Sequence, residues 1–247
     1  MKKRDKRRKQ PSNNLIRTIS KSGYCSRKEA LRLVQANAVK INGKPALDPG
    51  RKMNPSDRIT VNGRPLAKKE ARYIIMNKPS GYVTTREDEL GRPTVYEFLK
   101  DVKGWVFPVG RLDLDSEGLL IFTNDTKLGS ILTEPRYEVE RTYEVLIDGT
   151  LGCEDITAIL KGVDIGRGQT SRAKHIKILG SRDGSTLVEI TLTEGKNREI
   201  RRLFESFGSS VKSLKRIRFG PFKLGNLKPG KWIEVTDITE KVKNLVI

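Results

Sequence analysis

The chain has 247 residues, with 49 Lys and Arg against 30 Asp and Glu and a formal net charge of +19, long enough for a sizeable core and for two domains. So large a positive excess favours polyanions, nucleic acid first, and no long amphipathic helix pairs a basic face with Trp and Phe as a membrane-surface helix would. Apolar stretches such as Leu119–Phe122 are far too short to cross a bilayer, and two isolated cysteines with the single His175 argue against a structural zinc site or a disulfide framework, so a reducing, cytoplasmic location is expected.

Residues 1–11 open with "MKKRDKRRKQ" and no apolar segment follows, so no secretory signal is expected and a disordered basic arm with loose phosphate contacts at most is predicted. Residues 12–66 read as a small module of two helices on short strands. The first helix is expected around 14–22. The second opens on a capping box, "SRKE", in which Ser26 can cap and Glu29 can reach back, and Ala30, Leu31 and Val34 follow at helical spacing. Asn37 stands where the helix should end, and Asn tolerates the left-handed conformation of a C-terminal cap. "VKI" at 39–41 before Asn42-Gly43, and "RITV" at 58–61 before Asn62-Gly63, are strand-and-turn signals. Arg27 and Lys28 lie in the first turn of the second helix, where the dipole disfavours cations. They are either phosphate ligands or a solvated pair costing roughly a few tenths of a kcal/mol.

Residues 67–72 form a charged linker, and residues 73–247 a larger unit. Strand-like segments recur at Tyr73–Met76, Gly118–Thr123, Arg141–Ile147, His175–Leu179, Leu187–Thr193, Lys215–Phe219 and Trp232–Val235, with helical stretches between some of them. That mixture predicts an α+β domain on one long mixed or antiparallel sheet.

"GRLDLDSEGLLIF" (110–122) gathers three acids in a basic chain. Asp113-x-Asp115-x-Glu117-Gly118 imitates the opening of a calcium loop, but the twelfth position is Asn124 rather than a bidentate Glu, and "VFPVG" precludes a preceding helix. A turn with solvated acids explains Asp115 and Glu117. It explains Asp113 less well, since Arg111 and Leu112 crowd it. In "NREIRRLFESFG" a helix over 197–207 is expected, with Asn197 as cap, Gly208 as stop and Ile200, Leu203, Phe204 and Phe207 as its apolar stripe. Arg201 lies about 100° from Ile200 at the stripe's edge, while Arg198 and Arg202 point nearly opposite.

"VGRLDLDSEGLLIFTND" resembles the signature of the pseudouridine synthases of the RsuA/RluB branch. "YIIMNKPSGYVTT" (73–85), "GRPTVYEFL" (91–99), "RTYEV" (141–145) and "EGKNREIRRLFESFG" (194–208) resemble the same family in the same order, and the module at 12–66 resembles the ribosomal-protein-S-four RNA-binding domain. Two features depart from the family pattern: Asn37 stands where Gly is usual, and the first helix is unusually polar. The resemblance implies a small αβ RNA-binding module followed by a catalytic domain that isomerises a uridine within RNA, with no cofactor and no metal. The uridine must leave its stack to react. The resemblance assigns the essential acid to Asp113 and the tyrosine that stacks on the base to Tyr143. It places the active-site basic residue at Arg201, expected to orient the Asp113 carboxylate, with Arg111 as the second candidate. Arg198 and Arg202 should face solvent or phosphate, and Arg27, Lys28, Lys40 and Arg111 complete the expected RNA contacts. "EGKNREIRR" looks most like the large-subunit enzymes, so a uridine in 23S rRNA, naked or in an assembly intermediate, is the expected target of a monomeric enzyme. A 16S target, a non-catalytic ribosome-assembly factor and a DNA-binding protein are the competing expectations.

Overall fold

The structure is a computed structural model describing residues 13–235 and residue 238, so the basic arm lies outside the described residues. The chain divides into two compact units. Among the described residues, one is built from the chain up to Ala71 with Gly104–Val106 and Asn124–Thr126, the other from Arg72–Lys103, Phe107–Thr123 and the residues from Lys127 on.

In the first unit, helices α1 (Leu15–Lys21) and α2 (Arg27–Gln35) precede short strands β1 (Val39–Ile41), β2 (Lys44–Pro45), β3 (Ile59–Val61) and β4 (Arg64–Pro65), which form one sheet in the order β2-β1-β3-β4. Ser26 caps α2 by accepting from the Glu29 amide at 3.1 Å, but the Glu29 carboxylate turns to Arg32 instead of reaching back. Asn37, Asn42 and Asn62 all take positive φ (55°, 51° and 50°), as the helix stop and two tight hairpins require. Leu15, Ile19, Ala30, Val34, Val39, Ile41 and Val61 pack as this unit's own core. Arg27, Lys28 and Lys40 are exposed.

The second unit contains β5 (Tyr73–Lys78), β6 (Phe107–Val109), β7 (Glu117–Thr123), α3 (Thr126–Thr133), β8 (Arg141–Asp148), α4 (Cys153–Lys161), β9 (Val163–Asp164), β10 (Thr170–Ser171), β11 (His175–Arg182), β12 (Ser185–Leu192), α5 (Glu199–Glu205), β13 (Val211–Phe219), β14 (Phe222–Lys223) and β15 (Trp232–Glu234). Its nine-stranded sheet runs β11-β12-β8-β13-β7-β5-β15, with β14 beside β13 and β6 beside β7. Each strand foreseen from sequence is present within a few residues, and the sheet is mixed because β13 and β7 pair in parallel. The parallel pair needs a glycine. Gly118 lies opposite Arg216 with φ +100°, and a Cβ there would sit 2.3 Å from the Arg216 carbonyl oxygen. Ile75, Leu119, Ile121, Leu128, Leu132, Phe219 and Phe222 form a core on the sheet.

The helix expected over 197–207 is shorter. Arg198, not Asn197, stands at its N-terminal boundary, in the left-handed region (φ 48°) and without a side-chain cap. The Glu199 carboxylate instead accepts from the Lys196 amide at 2.9 Å. Ile200, Leu203 and Phe204 are buried as the stripe predicted, while Phe207 lies beyond the helix and is half-buried.

Candidate active site

The loop between β6 and β7, residues 110–116, carries the acids, and its backbone is fastened from several sides. The Thr84 hydroxyl donates to the Leu112 carbonyl (2.8 Å) and accepts from its amide (3.3 Å). The Gly81 amide donates to the Leu114 carbonyl (2.8 Å), and the Ser116 amide to the Asp113 carbonyl (3.1 Å). Lys78, at the end of β5, is fully buried. Its Nζ donates to the carbonyls of Ser116 (2.6 Å), Pro79 (3.1 Å) and Leu114 (3.4 Å). Burial pushes its pKa down to about 8, against the pull of Asp115, Asp113 and Glu117. With Leu112 and Ser116 buried as anchors, Asp113 is presented half-exposed at the mouth of a cavity of about 400 Å³. Asp113, Ser116, Tyr143, Arg198, Glu199 and Ile200 are among its lining residues. Such a volume is within the range of small-molecule sites.

Tyr143 is placed by the sheet: on β8, it lies opposite Ile190 of β12 and Arg216 of β13, and is buried. So the structure brings Asp113 and Tyr143 to one cavity, across elements some thirty residues apart in sequence.

The arginines depart from expectation. Arg201 is buried and points inward, but its Nη2 meets Asp115, at 3.0 Å from Oδ2 and 3.3 Å from the carbonyl oxygen, and not Asp113. Its Nη1 donates to the Val211 carbonyl (3.1 Å). Arg201 therefore ties α5 and the start of β13 to the acid loop, and Asp115 is an ion-pair partner and not merely a solvated acid. The guanidinium nearest Asp113 belongs to Arg198, with Nη1 3.9 Å from Asp113 Oδ2 and 3.8 Å from Asp115 Oδ2. The left-handed turn at Arg198 redirects that side chain away from the position the helical wheel gave it. Arg202, expected to face solvent or phosphate, is also corrected. Its guanidinium donates to the carbonyls of Ile165 (2.9 Å), Gly166 (3.0 Å) and Asn197 (3.0 Å) and to Gln169 Oε1 (3.0 Å), clamping the β9–β10 hairpin to the turn before α5. Arg111 is exposed on the cavity wall.

Sequence reasoning missed Lys78, Thr84 and Glu199. Lys78 carried a signal, a lysine ending a largely apolar strand just before Pro79. Thr84 and Glu199 carried none: Glu199 is buried with its carboxylate accepting from the Ser171 hydroxyl at 2.9 Å, a contact made across 28 residues. Among the described residues, no group of three His, Cys, Asp or Glu side chains could hold a metal ion.

Residues 72–206 match the family described as RNA pseudouridylate synthase, and residues 15–59 match the S4 domain. An RNA pseudouridine synthase of Aquifex aeolicus is 40% identical over 220 residues, covering 88% of each chain. Ribosomal large subunit pseudouridine synthase B of Bacillus subtilis is 34% identical over 223 residues, covering 90% of this chain and 91% of its own. Among solved structures, one described as a pseudouridylate synthase superposes with a TM-score of 0.67 at 27% identity, across 95% of this chain and all of its own. With a family match over more than half of its length and relatives this similar along nearly all of it, the chain belongs to the RNA pseudouridylate synthases, isomerases that act on uridine in RNA, and carries an S4 domain ahead of the catalytic fold.

Proposed function

We propose that this enzyme isomerises a uridine of 23S rRNA, with Asp113 as the acid that does the chemistry and Tyr143 as the ring that packs on the displaced base. The observation that carries the reading is that Asp113 and Tyr143, far apart in sequence, line one nucleoside-sized cavity in a strongly basic protein. Positive charge holds the RNA backbone while a carboxylate works in a local pocket. Arg201 acts as a positioning residue through Asp115 and the loop backbone, and Arg198 stands beside both acids at the open side. Arg27, Lys28, Lys40 and Arg111, all exposed cations, contribute phosphate contacts. The choice of 23S rRNA is supported by relatives named large-subunit synthase B in Bacillus subtilis and, at 36% identity, Salmonella typhi. The enzyme works in the cytoplasm, as a monomer.

The test is to incubate the protein with deproteinised 23S and 16S rRNA and map pseudouridine. New pseudouridine should appear at one position of 23S rRNA, and a product confined to 16S rRNA would refute the target. Asp113→Asn should lower turnover by on the order of 10³-fold or more while leaving RNA affinity nearly unchanged, since it removes one charge and little volume. An active Asp113→Asn protein would refute the catalytic assignment.

A further inference from the structure

Beside the Asp113 cavity lies a second one of about 260 Å³, and the two share a wall that includes Arg111, Tyr143, Glu194 and Lys196. Among the residues that line only the second are Arg141, Arg216 and Phe219. The sheet sets them together: Arg141 pairs with Phe219 across β8 and β13, and Arg216 pairs with Tyr143. The two guanidinium carbons lie 4.9 and 4.8 Å from the centre of the Phe219 ring. Both arginines are buried, at 8% and 2% exposure. Their partners are neutral: Arg141 donates to the carbonyls of Thr193 (3.1 Å) and Leu132 (3.0 Å), and Arg216 Nε to that of Leu119 (2.8 Å). Arg216 Nη2 is buried with no hydrogen-bond partner among the described residues. The one carboxylate on the wall, Glu194, lies 2.7 Å from Lys196 Nζ. Burial holds the Arg141 pKa below the ordinary arginine value, against the pull of Tyr143 and Glu199 and with repulsion from Arg216 acting in the same sense as burial.

Two neighbouring guanidinium ions taken out of water, with no carboxylate in ion-pair contact among the described residues, are unfavourable, and the arrangement makes physical sense where an anion arrives to face them. We propose that this second cavity receives a phosphate of the substrate, the phosphodiester adjoining the uridine in the Asp113 cavity, held by Arg141 and Arg216 from within and by Arg111 at the surface. The proposal rests on the reading of the Asp113 cavity as the uridine site. The shared wall at Tyr143 makes the two cavities direct neighbours, as a nucleoside and its adjoining phosphate require. A displaced nucleotide would then be gripped by its sugar–phosphate as well as by its base, and the grip would carry no sequence information.

Binding of uridine, uridine 3′-monophosphate and uridine 5′-monophosphate to the full chain at fixed ionic strength tests this, by titration calorimetry or ligand-observed NMR. At least one monophosphate should bind ten-fold or more tighter than uridine. Arg141→Lys and Arg216→Gln, checked for folding by thermal unfolding, should each cut that gain by at least three-fold. Arg111→Gln changes an exposed side chain, so it keeps the test open if the buried variants do not fold, and it too should reduce the gain. Inorganic phosphate should displace the monophosphate but not uridine. Two monophosphates that bind no tighter than uridine, or a gain that survives every folded variant, would overturn the proposal and leave the arginines structural. Inorganic phosphate binding without any gain for the nucleotides would show a free-anion site and overturn it equally. Failure of the uridine reading looks different: uridine would not bind and rRNA would not be modified, while free phosphate would still bind in an arginine-dependent way.

Discussion

Lys78 carries an ammonium into a place that water does not reach, and among the described residues no carboxylate lies within ion-pair distance of it. Three backbone carbonyls take that role, two of them in the acid loop, so the side chain acts as a pin through the floor of the site. Its pKa, about 8 in the fold against the ordinary 10.5, has a direct consequence. Between those values the unfolded chain binds the proton and the folded chain does not, so stability rises with pH across that window and is unaffected by this group below about pH 8. Each pH unit is worth about 1.4 kcal/mol, which makes the full effect about 3 kcal/mol. Relative to Lys78→Met, the wild-type chain should therefore gain about that much stability between pH 8 and 10.5 in denaturant titrations. A difference that stays constant over this range would show that the ammonium is not desolvated as described.

Among the elements, the parallel pairing of β7 and β13 decides whether the acid loop is delivered correctly, because β7 begins one residue after Ser116. Gly118→Ala meets both a backbone conformation that side chains rarely adopt and the Arg216 carbonyl oxygen. A loss of at least about 2 kcal/mol is expected, with turnover falling further than RNA affinity because Asp113 is displaced. A wild-type denaturation midpoint in Gly118→Ala would contradict the close approach. This scale also shows why some features were legible in the sequence and others were not. Asn42-Gly43 and Asn62-Gly63 announce hairpins because those turns need positive φ at both positions, and Ile200, Leu203 and Phe204 announce a buried stripe by their spacing. The wheel gave Arg201 its inward direction correctly, but a direction from a helix axis does not say which loop residue it will meet, and Asp115 proved to be the partner. Arg202 was misjudged because a polar helix face looks like a solvent face. The β9–β10 hairpin that covers it has only two residues in each strand and leaves almost no periodic signal. No sequence rule marks Arg198 for the left-handed region, so the true start of α5 was hidden as well.

At the scale of the molecule, two units with separate cores divide the work. The helices and short strands of the first unit pack on one another, and the second unit's core is drawn from its own sheet and helices. Deleting residues 1–66 should therefore leave a chain that still unfolds cooperatively on heating. Its RNA affinity should be lower and the dependence of that affinity on salt shallower, because phosphate contacts release counterions. A truncated chain without a thermal transition would mean that the two units fold as one. The same parallel pairing that demands Gly118 also sets an order of events during synthesis. The strand that follows the acid loop has β5 and β6 beside it early, but its β13 side must wait for a neighbour roughly a hundred residues further along, which at about 5–20 residues per second is about 5–20 seconds of translation. Arg201, which tethers Asp115, and Val211, whose carbonyl accepts from Arg201, emerge late as well. Throughout that interval the nascent chain already carries the whole S4 domain, yet the cavity at Asp113 is incomplete. An S4 domain that folds as it emerges is therefore placed to meet RNA before the cavity at Asp113 closes.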